Sequence, residues 1–121
     1  MSSSLAIFLG AYPHSVRELF LETRSLLERE LPNSLQELDI PAKMLAFSYG
    51  PGYKGIICVL FPSQKGVKLS FSKGAELSNK HPLLEGTGKK MRHVEISKSL
   101  LKKPELLAII RDAKLFHEMT L

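Results

Sequence analysis

The chain has 121 residues, 44% of them hydrophobic, with 17 Lys and Arg against 12 Asp and Glu and a net charge of +5. That length and apolar content hold one ordinary domain with one continuous core, which excludes a multidomain or disordered chain, and residues 1–121 are read as a single unit. Residues 1–60 carry 5 Lys/Arg and 6 Asp/Glu and residues 61–121 carry 12 and 6, so the excess charge belongs to the second half, where it favours an anionic partner and is equally explained by solubility.

The opening Met1-Ser2-Ser3-Ser4 lacks the positive charge of an export signal, and the apolar piece Leu5–Leu9 is too short to cross a bilayer. A lone Cys58 has no internal disulfide partner and lies in an apolar run, where it behaves as a small hydrophobe. These features predict a cytoplasmic chain with no membrane contact.

After that short element, Pro13 suits the first turn of a helix, where its missing N–H costs nothing. Val16, Leu19, Phe20, Thr23, Leu26, Leu27 and Leu31 recur at three-to-four spacing and predict a helix that Pro32 and Asn33 stop. From Leu35 the period changes to two. Leu38 and Ile40 alternate with charged neighbours, and Leu45, Phe47 and Tyr49 alternate with smaller ones before the Pro51-Gly52 turn. The run Ile56–Phe61 has no polar face and predicts the central strand. Val67, Leu69 and Phe71 alternate with Lys68, Ser70 and Ser72, after a hairpin turn at Gln64-Lys65-Gly66.

Between Gly74 and Gly88 the chain is turn-rich, with short helical pieces expected at Ala75–Leu77 and Leu83–Glu85. A strand over Lys89–Ile96 follows. Pro104 then opens a helix whose buried stripe is Leu106, Ile109, Ile110, Ala113 and Phe116. Strands joined by short turns are antiparallel, and amphipathic helices at the two ends can cover one sheet face. The predicted fold is α+β: a two-layer sandwich with a mostly antiparallel five-stranded sheet and the N- and C-terminal helices on one face.

In the last strand, alternation puts Lys90, Arg92, Val94 and Ile96 on one face and Lys89, Met91, His93 and Glu95 on the other. Arg92 is expected at the margin of the core face, its stem packed and its guanidinium reaching a carboxylate or a ligand. His93 is expected on the surface, without a local partner to orient it for proton transfer. Gly86-Thr87-Gly88-Lys89-Lys90 is not a phosphate loop. Leu83 stands where such a loop needs Gly, Lys90 where it needs Ser or Thr, and a strand follows instead of a helix.

Tyr49, Lys68, Lys89, Arg92 and His93 are the candidate ligand-binding residues, arranged around a concave region of the sheet that accepts a small anion or an acidic protein surface. Tyr53 and Tyr12 are further candidates for its border. The six phenylalanines fall mostly at core-period positions and make no stacking platform, so nucleic-acid binding through Lys98, Lys102 and Lys103 ranks last. His14, His81, His93 and His117 are scattered without zinc-site spacing. Glu18 and Glu22, one helical turn apart, and Glu37 and Asp39, on one strand face, offer hard oxygen donors for a weakly held cation and are better explained as solvated faces, with Arg17, Arg24 and Arg29 as competing partners.

Phe8-Leu9-Gly10-Ala11-Tyr12-Pro13, Val16-Arg17-Glu18-Leu19, Gly74-Ala75-Glu76-Leu77 and, most specifically, Leu84-Glu85-Gly86-Thr87-Gly88-Lys89-Lys90-Met91-Arg92-His93-Val94 together resemble the YdhG-like family, over nearly the whole chain. The resemblance implies a small cytoplasmic α+β domain without an established reaction. Some members are described as frataxin-like iron chaperones, which would put weakly bound iron on acidic helix and strand residues, with Glu18, Glu22, Glu37 and Asp39 as the conjectural metal set and no other cofactor. No nucleophile, base and orienting group can be named from the sequence, so no catalytic residue is assigned.

Overall fold

The computed structural model describes residues 3–119, without the side chains of Ser3 and Tyr53. In chain order the elements are α1 (Ser3–Leu9), α2 (His14–Glu30), β1 (Leu35–Asp39), β2 (Met44–Ser48), β3 (Ile56–Pro62), β4 (Val67–Phe71), α3 (Gly74–Leu77), β5 (Arg92–Ile96) and α4 (Pro104–Met119). Short 3-10 turns at Tyr53–Gly55 and Leu100–Lys102 precede β3 and α4. No helix among the described residues is long and apolar enough to cross a membrane.

The strands form one antiparallel sheet in the order β1-β2-β3-β4-β5, with the apolar strand β3 at its centre. The register sorts side chains into two faces. Leu38, Leu45, Leu60, Leu69 and Val94 form one paired row across all five strands, and Gln36, Phe47, Cys58, Phe71 and Arg92 form the next. Both rows face α2 and α4, which contact each other and β3. Phe20, Leu27, Ile109 and Ile110 from the helices complete a core in which Phe47, Leu60, Leu69 and Phe71 are fully buried. Each such side chain contributes about 1.5–3 kcal/mol through removal from water.

Pro13 sits immediately before α2, its carbonyl accepting the Arg17 N–H at 3.0 Å. Thr23 is completely buried in the apolar stripe and donates its hydroxyl to the Leu19 carbonyl at 2.7 Å, which leaves no unpaired polar atom there. At the far end Leu31 closes the last turn onto the Leu27 carbonyl, and Asn33 turns the chain with φ 65°. Ile40 does not belong to β1. It lies 56% exposed in the turn to β2, where Asp39 Oδ1 accepts the Ala42 N–H at 3.1 Å.

The apolar start of the chain is helical. Leu5 and Leu9 are buried, and the Phe8 ring meets Tyr12 and Phe20 edge-on at 5.6 and 6.5 Å. A helical piece stands at Gly74–Leu77, as the sequence predicts, but the one expected at Leu83–Glu85 is absent. Glu85 instead exchanges two backbone hydrogen bonds with His93, at 2.8 and 2.9 Å, and shields part of the β5 edge. β5 begins at Arg92, three residues later than alternation suggests, because Lys89 and Lys90 are occupied in the turn.

Gly74 is the tightest point of this arrangement. A Cβ there would stand 2.4 Å from the Arg92 backbone nitrogen, at the place where the Ala75 N–H reaches the Lys90 carbonyl. Neither backbone can yield without breaking the β4–β5 register. Gly74→Ala should therefore lower stability by about 1–3 kcal/mol, seen as a lower urea midpoint, and a variant as stable as the parent would show that the two backbones can separate. Cys58 is sealed in the same core, and burial pushes its thiol far above the usual range. It should stay unlabelled by a thiol reagent in the folded protein and react only on unfolding, as a time course in and out of urea would read.

Candidate functional site

The face of the sheet turned away from the helices is organised by the same pairing. One row runs Glu37, Ala46, Val59, Ser70, His93 and, through the edge pairing, Glu85. Its middle members are small, and their burial leaves a trough between longer neighbours such as Phe61 and Lys68. At the β4–β5 side this trough widens into an open hollow of about 650 Å³ that continues over the β3–β4 hairpin. Phe61, Pro62 and Val67 supply its apolar wall, and Lys65, Lys68, Ser70, His93 and Glu95 supply its polar one.

Lys68 and His93 are the two expected ligand residues that the fold brings together. Period-two alternation in β4 puts Lys68 and Ser70 on one face, and the pairing of Ser70 with His93 places the imidazole on that face too. Each cationic group has an acidic neighbour. Lys68 Nζ lies 3.9 Å from Glu95 Oε1, and His93 Nε2 lies 3.8 Å from Glu85 Oε2. Both separations exceed hydrogen-bond length, so the Lys68 ammonium and the His93 imidazole remain available to a ligand.

Arg92, Tyr49 and Lys89 are elsewhere. Arg92 points to the covered face, and its guanidinium donates to the Gly88 carbonyl and, at 3.0 Å, to the Met91 carbonyl. Among the described residues it pairs with no carboxylate. Its stem also passes beside Gly86, whose φ of 122° favours glycine and where an added Cβ would come within ordinary contact of Arg92 Cδ, at 3.4 Å. The arginine thus folds its own preceding turn. Tyr49 donates its hydroxyl to the Pro32 carbonyl at 2.6 Å and stacks at a tilt against His117, 6.3 Å away. Burial first, then the Glu118 carboxylate, pushes the phenol up, which keeps it a donor. Lys89 is exposed in the turn before β5, and Tyr12 is buried against Phe8. The Tyr53 side chain lies outside the described residues.

The acidic pairs are separated by the sheet. Glu18 sits on α2 with His14 Nε2 at 2.9 Å and Lys98 Nζ at 3.8 Å, and Glu22 is one turn further on. Glu37 and Asp39 lie on the uncovered face of the edge strand β1, where Asp39 also holds its own turn. Among the described residues no three His, Cys, Asp or Glu side chains gather in an arrangement able to hold a metal ion.

Sequence reasoning missed several residues of the hollow. Ser70 carried a usable signal, since it shares a strand face with Lys68 two residues earlier. Glu85 carried none, because its approach to His93 depends on a turn closing back on an edge. His81 likewise finds Asp112 of α4, with Nε2 2.7 Å from Oδ2, across 31 residues of sequence. That contact ties the turn-rich segment to the helical layer.

Because Arg92 contacts backbone alone, Arg92→Ala should cost stability, by about 1–2 kcal/mol, without changing the affinity of the open face for an anion. Paired denaturation and binding titrations check this. A stable variant with weakened anion binding would return Arg92 to the recognition surface.

Comparison of the chain with protein-family models, with curated proteins and with solved structures finds no match, which leaves function to be read from the side chains of the site.

Proposed function

We propose that this protein is a non-catalytic binding module that holds a small organic anion on the open face of its sheet. The observation that carries this reading is the placement of Lys68 and His93 on one face, on either side of Ser70, in a hollow with an apolar wall of Phe61 and Pro62. A carboxylate or phosphate would take the Lys68 ammonium, the imidazole and the Ser70 hydroxyl as donors. The rest of the ligand would cover Phe61.

The acidic neighbours set the terms of binding. Glu95 is 61% exposed and Glu85 is 65% exposed, so their contacts with Lys68 and His93 are water-screened and contribute on the order of 0–1 kcal/mol each. An incoming anion displaces little. The same carboxylates lower the net positive field of the hollow, which favours a compact ligand that reaches both the Lys68 ammonium and the His93 imidazole over a diffuse polyanion.

Phenyl phosphate is a suitable probe, with inorganic phosphate as the comparison that lacks an apolar body. NMR titration should move the resonances of Lys68, Ser70 and His93, with phenyl phosphate bound more tightly than phosphate. Lys68→Gln should weaken binding roughly five-fold, the equivalent of about 1 kcal/mol for one partly exposed charged donor. Rising salt should weaken it further. Shifts confined to Tyr49 and Lys89, or no shift at all, would overturn the assignment.

A further inference from the structure

A second hollow, of about 430 Å³, lies between the C-terminal half of α2 and the segment that joins β5 to α4. Leu26 and Leu101 give it an apolar floor, Arg29, Lys98 and Lys102 surround that floor, and Glu22 and Ser25 complete the wall. We propose that this groove docks an acidic peptide segment of a partner protein, with carboxylates on the three cations and an aliphatic side chain between them. It is a different surface from the sheet face, and its occupancy does not depend on that of the anion hollow.

The cations are available because their nearest acids are already engaged. Glu30 accepts a hydrogen bond from Arg111 Nε at 2.8 Å, whereas Arg29 Nε stays 3.8 Å from its other oxygen. Glu18 contacts His14 Nε2 at 2.9 Å, whereas Lys98 Nζ stays at 3.8 Å. Lys102 pairs with no carboxylate among the described residues. Arg29 and Lys98 are 68% and 67% exposed, so turning them toward new carboxylates costs little.

The choice of a peptide over a nucleic acid follows from what stands among the cations. Glu22 has no ion-pair partner among the described residues, and its charge within the wall repels a continuous polyphosphate more than a peptide whose carboxylates are spaced apart. No aromatic side chain lines the groove, so bases have nothing to stack on. Leu26 and the partly exposed Leu101 instead suit an aliphatic residue flanked by acids.

A short fluorescein-labelled peptide of alternating Glu and Leu, titrated with the full chain at low salt and followed by anisotropy, tests this. The double substitution Lys98→Glu and Lys102→Glu should weaken binding roughly ten-fold or more, and Glu22→Gln should tighten it about two-fold or more. Lys68→Gln, on the other surface, should leave it unchanged, which separates failure here from failure of the anion hollow. All these positions are exposed or half-exposed, and circular dichroism confirms that the variants fold. Absence of binding, binding that survives the double substitution, an all-Glu peptide as tight as the Glu-Leu peptide, or a tighter single-stranded oligonucleotide would each overturn the proposal.

Discussion

The pairing of β5 with β4 is the constraint on which the rest of the structure hangs. Leu69 stands opposite Val94 and Val67 opposite Ile96, all four buried against the helices. A slip of one residue would turn Val94 and Ile96 to water and force His93 and Glu95 onto the covered face, at a cost of several buried side chains worth about 1.5–3 kcal/mol each. The apolar residues therefore decide where the polar ones go. His93 and Lys68 face the open hollow because their neighbours cannot face it. Gly74 fixes the same register from the other side, since only a residue without a side chain lets α3 approach the Arg92 backbone so closely.

Close charged contacts between elements hold the architecture together, and several loose ones lie around the two hollows described above. Arg111 and Glu30 meet at 2.8 Å and join α4 to α2, and that carboxylate holds the guanidinium above its usual range. His81 and Asp112 meet at 2.7 Å and hold the turn-rich segment on α4, while Arg24, Gln36 and Glu28 link α2 to β1. By contrast, Lys68, His93, Arg29 and Lys98 stand 3.8–3.9 Å from their nearest acids. Contacts of that length are replaced by a ligand at little cost. The distinction is one of distance and exposure, and charge counts along the chain do not contain it.

What the sequence disclosed follows from the range of each interaction. The stripe from Val16 to Leu31 and the alternation in β2, β4 and β5 are local periodicities, so α2 and the strands could be placed before the structure was known. The two faces of β5 were legible for the same reason, and with them the separation of Arg92 from His93. The destination of Arg92 was not. Its guanidinium closes onto the Gly88 and Met91 carbonyls, a contact set by the conformation of the turn and not by side-chain spacing. Tyr49 shares the alternation of Leu45 and Phe47, which face the helices, so although β2 ends at Ser48 the ring meets His117 of α4, and that pattern already separated it from Lys68 and His93 on the other face. The β-bridge between Glu85 and His93 needs a turn to fold back, so a local rule assigns Glu85 to a helical piece.

That bridge also bears on which surfaces of the protein are open to contact. An edge strand with free N–H and C=O groups invites strand addition, and proteins block it with cover or charge. Here Glu85 takes up both outward backbone groups of His93 at the β5 edge. The opposite edge, β1, carries Glu37 and Asp39 on the open face and is only 5 residues long. With one edge partly covered and the other short and acidic, strand addition is disfavoured at both edges, and the side chains of the faces are the surfaces left open. The covering residue is itself part of the hollow's electrostatics, because Glu85 brings its carboxylate to His93 through the same pairing that occupies the edge. Edge protection and the charge of the binding surface are thus set by one short turn, and a sequence change there alters both.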